Sequence, residues 1–323
     1  MNFKQKFCRA VAYPVLWPVI HMPGESWYGK VPELSFKERR MRREIERILR
    51  HLSETIGERH TGRYESLLAA EQFCEQQLTE FGYEVEPQVL LLDGVQVKNL
   101  QAEKRGSELQ EEIVVFGAHV DTVPGSPGAD DNATGVAALL LLARMLRYSN
   151  FKRTIRFVVF ANEERPNGIS MGSHAYAERC KQRGENIVAM LSLEMLGFYS
   201  EDPGSQKYPA PFSLLYPDVG NFIGFVGNLR SRKLVRQCVG AFRRNCHFPS
   251  EGAAVPEFIR DAHRSDHWSF WQFGYRGLMV TDTSNFRNKL YHTLNDKPDI
   301  IDFNKLTRVT MGLVDVAVEL ANK

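Results

Sequence analysis

Apolar and polar positions along this chain fall in blocks, and the blocks define its elements. Ile113 to Phe116, Thr154 to Ala161 and Ile187 to Leu193 are apolar runs of strand length, broken only at Thr154, Arg156 and Ser192. Such runs predict strands buried on both faces, as in parallel sheets; a strand with one wet face would alternate. Between them, Thr134 to Leu146 and Ser173 to Gln182 carry helical patterns. Strand and helix in alternation predict βαβ units. Upstream, Ser35 and Glu38 form a capping-box pattern opening a helix, with Met41, Ile45, Ile48, Leu49 and Leu52 at helical spacing. A second helix is predicted over about Tyr64 to Phe81, where Gly82 stops it. Strands over Tyr83 to Leu92 and Val95 to Ala102 meet at Asp93-Gly94, a hairpin turn signal. Downstream, Phe222 to Val226 and Leu278 to Asp282 read as strands, and Leu229 to Phe242 and Phe303 to Ala321 as helices. The expected fold is α/β in three layers: a mixed, mostly parallel central sheet with helices on both faces. Residues 35–323 read as one domain, preceded by an arm over residues 1–34. The longest irregular stretch, Tyr199 to Gly220, is rich in Pro, Gly and aromatics and is expected to wall or cover a site.

Composition changes this picture little. With 41 basic and 39 acidic residues, the net charge of +2 argues against wholesale nucleic-acid binding. Seven Lys/Arg against three Glu between Lys37 and Arg50 read as the solvated face of the first helix. Five widely spaced cysteines without a C-x-x-C argue against a disulfide framework and a thiolate zinc knuckle, and a reducing compartment is compatible. Lys4, Lys6 and Arg9 precede an apolar stretch from Val11 to Ile20, superficially like a signal peptide. Two prolines interrupt it, no small-x-small site follows, and it is shorter than the roughly 20 residues a bilayer span needs. The reading is an arm that packs on the surface or touches a membrane through residues 1–20, with a cytoplasmic location favoured over export.

The chemistry gathers at the ends of the apolar runs. His119 and Asp121 follow the first run, Asp130 and Asp131 the loop after it, Glu163 and Glu164 the second run, and Glu194 the third. In an open parallel sheet, ligands bind outside the carboxyl ends of the strands. His119 and Asp121, two residues apart on an extended chain, share a face, so the carboxylate can hold the imidazole's second nitrogen. Glu163 and Glu164 are adjacent and point apart, so one can bind a metal while the other acts as a base. Asp131 precedes a helix, whose N-terminus favours a carboxylate. His292, in Leu290 to Asp296, is the best candidate for a second nitrogen ligand. Each piece alone has an ordinary reading as a cap or a solvated pair; their recurrence at consecutive strand ends does not. Ser265-Asp266-His267 has the composition of a triad, but adjacent residues cannot converge, and no G-x-S-x-G is present. It reads as a structural or substrate-side loop, with Asp266 as a candidate substrate contact. His174, His263 and His267 are not expected to be ligands. No Walker A, G-x-G-x-x-G or C-x-x-C pattern supports nucleotide, dinucleotide or redox chemistry.

At this point the chain resembles a known family, the co-catalytic zinc aminopeptidases related to bacterial leucyl aminopeptidase and glutamate carboxypeptidase. The resemblance rests on residues 118–121 (Ala-His-Val-Asp), 128–135 (Gly-Ala-Asp-Asp-Asn-Ala-Thr-Gly), 162–164 (Asn-Glu-Glu), 171–173 (Met-Gly-Ser), 265–267 (Ser-Asp-His) and 291–293 (Tyr-His-Thr), in the family's order. It covers roughly residues 40 to 321. It implies a zinc-peptidase-like fold and two Zn2+ ions. His119, Asp131 and Glu194 would hold one ion, and Asp131, Glu164 and His292 the other, with Asp131 between them. Glu163 would be the general base, Asp121 the residue orienting His119, and Tyr291 the group polarising the scissile carbonyl. It also implies a cis bond after Asp131. The family commonly has Asp at the position of Glu194. His and carboxylate ligands without thiolates suit zinc and would also accept cobalt or manganese. The implied substrates are peptides with free N-termini. The alternatives are a carboxypeptidase or dipeptidase on the same scaffold, a one-zinc glutaminyl cyclase using Asp131, Glu164 and His292, or a receptor-type relative that has lost its base.

Overall fold

The computed structural model describes residues 17, 19–92, 94–164, 171–209 and 212–323. The basic start of the arm, most of its apolar stretch and the expected turn residue Asp93 lie outside the described residues. Among the described residues, no helix is long and apolar enough to cross a membrane.

Two helices come first, α1 (Phe36–Arg50) and α2 (Tyr64–Glu80). The capping box at Ser35 forms in both directions: Glu38 N–H donates to Ser35 Oγ at 3.3 Å, and Ser35 N–H to Glu38 Oε2 at 2.7 Å. The chain continues through β1 (Val85–Leu92), β2 (Val95–Lys104), β3 (Leu109–His119), α3 (Gly135–Leu146), β4 (Arg153–Phe160), α4 (Gly172–Gln182) and β5 (Asn186–Glu194). It ends with β6 (Ile223–Asn228), α5 (Arg232–Asn245), β7 (Ser250–Val255), α6 (His267–Gln272), β8 (Gly277–Thr281) and α7 (Phe303–Asn322). The strands form one sheet in the order β1-β2-β4-β3-β5-β8-β6-β7. Four of its seven pairings are parallel and three antiparallel, so the sheet is mixed, with a parallel centre of β4, β3, β5 and β8.

Alternation along the central strands explains why both faces are covered. Val114 and Phe116 join a core with Ile45, Leu67, Leu139, Val239 and Leu313, contributed by α1, α2, α3, α5 and α7. Ile113 and Val115 face the other way, against Tyr176, Ala177 and Cys180 of α4 and Phe270 of α6. The four described cysteines are free and buried. Two elements go beyond the sequence reading. β7, Ser-Glu-Gly-Ala-Ala-Val, has little β propensity and forms because β6 offers it a parallel partner. The segment read as a loop over Ser265 to Trp271 turns into α6 at His267.

Candidate metal centre

His119 is the last residue of β3 and Glu194 the last of β5, while Glu163 and Glu164 follow β4. These parallel strands therefore deliver their polar ends to one edge of the sheet. The loop after β3 brings Asp131 to the same place. Its peptide bond to Asn132 is cis, as the resemblance implied. His119 Nε2 lies 3.4 Å from Asp131 Oδ1 and 3.3 Å from Glu194 Oε2. On the other side, His292 Nε2 lies 3.1 Å from Asp131 Oδ2 and 3.2 Å from Glu164 Oε2. The two oxygens of Asp131 thus face different imidazoles.

Among the described residues, three sets of side chains bring their ligand atoms within 4.8 Å of one another: His119, Asp131 and Glu194; Asp131, Glu164 and His292; and His119, Glu163 and Glu164. Charge explains what such a cluster requires. Burial raises Glu163 well above the usual carboxylate range, and Glu164 and Glu194 push it further against the pull of His119. Glu164 is raised by burial and by Asp131, and Glu194 by burial against His119. Burial opposes ionisation of Asp131 too, yet His119 and His292 outweigh it and hold this carboxyl below its ordinary value. His119 is raised well above its ordinary value, because Glu194, Asp121 and Asp131 outweigh the penalty of burial. Carboxylates so crowded around two imidazoles favour an added cation. Two buried oxygens, Asp131 Oδ1 and Glu164 Oε1, make no hydrogen bond among the described residues. A nitrogen-and-oxygen donor set with orphaned buried oxygens fits zinc.

A frame of hydrogen bonds holds the cluster. Asp121 has a wider part than the sequence suggested: its two oxygens accept the N–H groups of Glu163 and Glu164 at 3.0 and 3.1 Å. His119 Nδ1 sits 3.5 Å from Asp121 Oδ1 and closer, at 3.2 Å, to the Asp121 carbonyl oxygen. Asp296, quoted in the sequence but given no role there, accepts the N–H groups of Asp130 and Asp131 at 2.8 and 3.1 Å. Asp130 is set apart from the cluster, fully buried and accepting from Gly197 N–H and Asn288 Nδ2. Ser265 Oγ donates to Glu194 Oε2 at 2.6 Å, which fixes the rotamer of that side chain. Asn162, Met195 and His292 adopt φ of 60°, 49° and 59°, left-handed values that are costly for non-glycine residues. All three lie in or beside the cluster, where the surrounding bonds over-determine the backbone.

Arg59, also unsuspected from sequence, is completely buried beneath this frame. It donates to the carbonyls of Val120, Leu52, Gly57, Pro127 and Gly128 at 2.7–3.1 Å. Burial pushes its guanidinium down to about 10, with Asp121 the leading opposing charge, so it remains protonated at neutral pH. Replacing it leaves the carbonyls of Val120, Gly57 and Pro127 without a donor among the described residues, whereas those of Leu52 and Gly128 keep the N–H groups of Gly57 and Ala133. Arg59→Leu is expected to cost at least about 3 kcal/mol in urea unfolding. An unchanged midpoint would show that water replaces the guanidinium fully.

Tyr291 stacks on His292, ring centroids 3.6 Å apart, and lines a cavity with Asp131, Glu163, Glu164 and Glu194. Burial raises its hydroxyl, and the neighbouring carboxylates add to the effect. Asp266 is not among the residues lining that cavity. It is fully buried behind the cluster, with neither carboxylate oxygen hydrogen-bonded among the described residues, and burial pushes it up to about 7 against the pull of His119. His267 is also buried, its Nε2 2.8 Å from the Ala262 carbonyl, so Ser265, Asp266 and His267 do not form a triad. His174, His263 and His267 belong to none of the three ligand sets.

A His–carboxylate cluster at the carboxyl edge of a mixed sheet defines a class, the α/β metal-dependent hydrolases. More narrowly, the chain belongs to peptidase family M28, whose sequence profile matches residues 99–317. It is 33% identical over 282 residues to the uncharacterized protein YfbL of Escherichia coli (strain K12), covering 84% of this chain and 86% of that one. Leucine aminopeptidase 1 of Emericella nidulans is 26% identical over 234 residues, which are 66% of this chain; the chain spans about half, 53%, of that relative's length. In three dimensions it is similar to BSAP, a zinc aminopeptidase from Bacillus subtilis, with a TM-score of 0.71 at 15% identity, covering 90% of this chain and 97% of that one. The chain is a peptide hydrolase of that family.

Proposed function

We propose that this protein is an aminopeptidase that removes N-terminal residues from peptides with two zinc ions. What carries the reading is Asp131, whose two oxygens are aimed at His119 on one side and His292 on the other. His119, Asp131 and Glu194 would hold one ion, and Asp131, Glu164 and His292 the second. Cobalt or manganese suits the same donors. When bound, zinc supplies a Lewis acid that polarises the carbonyl and makes water acidic enough to attack near neutral pH.

The protein's own groups do the rest. Added positive charge pulls the raised Glu163 carboxyl back down, which favours the ionised base in the loaded site. It takes a proton from the attacking water and delivers it to the leaving amine as the C–N bond breaks. Asp121, through the N–H groups of Glu163 and Glu164, keeps the base and a ligand in fixed relation. Tyr291, kept protonated by its surroundings, donates to the carbonyl oxygen as charge develops there. Support for the aminopeptidase class comes from the relatives named leucine aminopeptidase and from a cavity that continues past the cluster along one side.

The test compares peptides carrying free and N-acetylated amino termini. The expected result is cleavage of Leu-initiated peptides only when the amine is free, loss of activity with a chelator, and recovery with zinc. Release of C-terminal residues from the acetylated peptides would overturn the reading in favour of a carboxypeptidase. Conversion of N-terminal glutamine to pyroglutamate without hydrolysis would overturn it in favour of a cyclase.

A further inference from the structure

Across β5, β8, β6 and β7, the residues Glu194, Thr281, Gly224 and Glu251 form one row, each paired directly with the next. Residues paired across strands project from the same face. Glu251 therefore shares the face of Glu194, a member of the metal cluster. Three strand steps of about 4.8 Å separate their backbones by about 14 Å. The two positions between them leave room. Thr281 is small, and Gly224 has no side chain, where even a Cβ would already stand 3.2 Å from the Thr281 carbonyl oxygen. The result is a trough in a cavity of about 160 Å3, with Glu163, Glu164 and Glu194 at one end and Glu251 on its wall.

The rest of the wall is mostly apolar, from Tyr208, Phe212, Tyr216, Val226, Val255 and Met279. The Tyr208 and Tyr216 hydroxyls donate to the carbonyls of Pro217 and Gly252, which turns their rings into wall surface. Glu251 is short of counter-charge. Its nearest cation, Arg243 Nη2, stands 3.9 Å away and is engaged with Ser250, while no hydrogen bond reaches the carboxylate among the described residues. Burial pushes it up to about 7 against the pull of Arg243. The cations of the same wall, Lys207 and Arg264, are exposed at the rim, Arg264 beside Asp261.

We infer that Glu251 is a specificity residue, and that the trough takes a lysine or arginine side chain from the residue being removed. Apolar walls suit the methylene stem, and the carboxylate at the far end receives the charged head. A short or uncharged side chain leaves Glu251 unpaired, which discriminates against it. This rests on the aminopeptidase reading for which end of the peptide enters, but not for the chemistry of the trough.

Two measurements on zinc-loaded protein separate the two. The first compares kcat/KM for Lys-, Arg-, norleucine- and Leu-anilides in wild type and Glu251→Gln. Norleucine matches the lysine stem without its charge. Lys and Arg substrates are expected to exceed norleucine, and E251Q to lower their kcat/KM by at least about tenfold while norleucine changes less than about twofold. The second is calorimetric binding of free L-arginine and L-norleucine to both proteins, with arginine favoured only by wild type. Equal loss for all anilides, or a ratio of Lys to norleucine that E251Q leaves unchanged, overturns the role of Glu251. Arginine binding that depends on Glu251, without cleavage of any free-amine substrate, upholds Glu251 and overturns the aminopeptidase reading instead.

Discussion

Glu163→Gln is expected to leave the protein folded and metal-loaded while lowering kcat by about a thousandfold or more, the scale of a lost general base. The substitution keeps the size of the side chain and the backbone N–H that donates to Asp121. It removes the one group in the cluster that can accept a proton from water without giving up a proposed ligand bond. A rival geometry exists, because His119, Glu163 and Glu164 also bring their ligand atoms within 4.8 Å. Elemental analysis of the variant distinguishes the two. Full metal content with lost turnover supports the base, whereas loss of an ion makes Glu163 a ligand. Full turnover would remove it from the reaction altogether.

Asp131→Asn is expected to have the largest effect on metal binding, since among the described residues only Asp131 comes within 4.0 Å of both imidazoles. Both ions should be lost together, whereas Glu194→Gln and Glu164→Gln each weaken one side first. The contrast with stability is the sharper test. Neither Asp131 oxygen is needed by the backbone frame, which holds the residue through its N–H on Asp296. In the metal-free protein His119 and His292 hold the Asp131 carboxyl below its ordinary value, so the carboxylate itself stabilises the fold at neutral pH. The chelated variant should therefore melt below chelated wild type near pH 7, by a gap that narrows as the pH falls below the ordinary carboxylate range. Saturating zinc raises the stability of the wild type by RT ln(1 + [L]/Kd), about 4 kcal/mol at a thousandfold excess over Kd, and the variant should lose that increment. Thermal melts with chelator and with zinc read both outcomes. A zinc-dependent rise in the melting temperature of D131N equal to wild type would show that Asp131 does not bridge.

Much of the candidate site was legible from the chain because its residues stand where the pattern changes. His119, Glu163, Glu164 and Glu194 each follow an apolar run long enough to be a buried strand, and the topology rule for parallel sheets puts such ends at one edge. The frame was not legible, because its signals are contacts between distant segments. Arg59 lies in a polar stretch before α2, and nothing local says that it reaches five carbonyls under the site. Asp296 accepts the N–H groups of Asp130 and Asp131 across more than 160 residues. Asp266 reads from sequence as a substrate-side residue, yet it lies buried behind the cluster. Glu251 falls in a segment whose Gly and Ala suggested no strand, so the row that makes it significant was invisible until β7 had a partner.

The sequence by itself determined most of the strands and helices, all but β7 and α6, together with their alternation and the residue types able to hold a cation. These depend on local periodicity and on which side chains lose least by burial, and both are written in neighbouring residues. Only the tertiary structure decided which oxygens of Asp131 face which imidazole, why Asp130 is excluded, and that one register row links Glu194 to Glu251. Those facts depend on strand order and cross-strand pairing, which bring residues of different segments within a few ångströms. No local pattern encodes that distance.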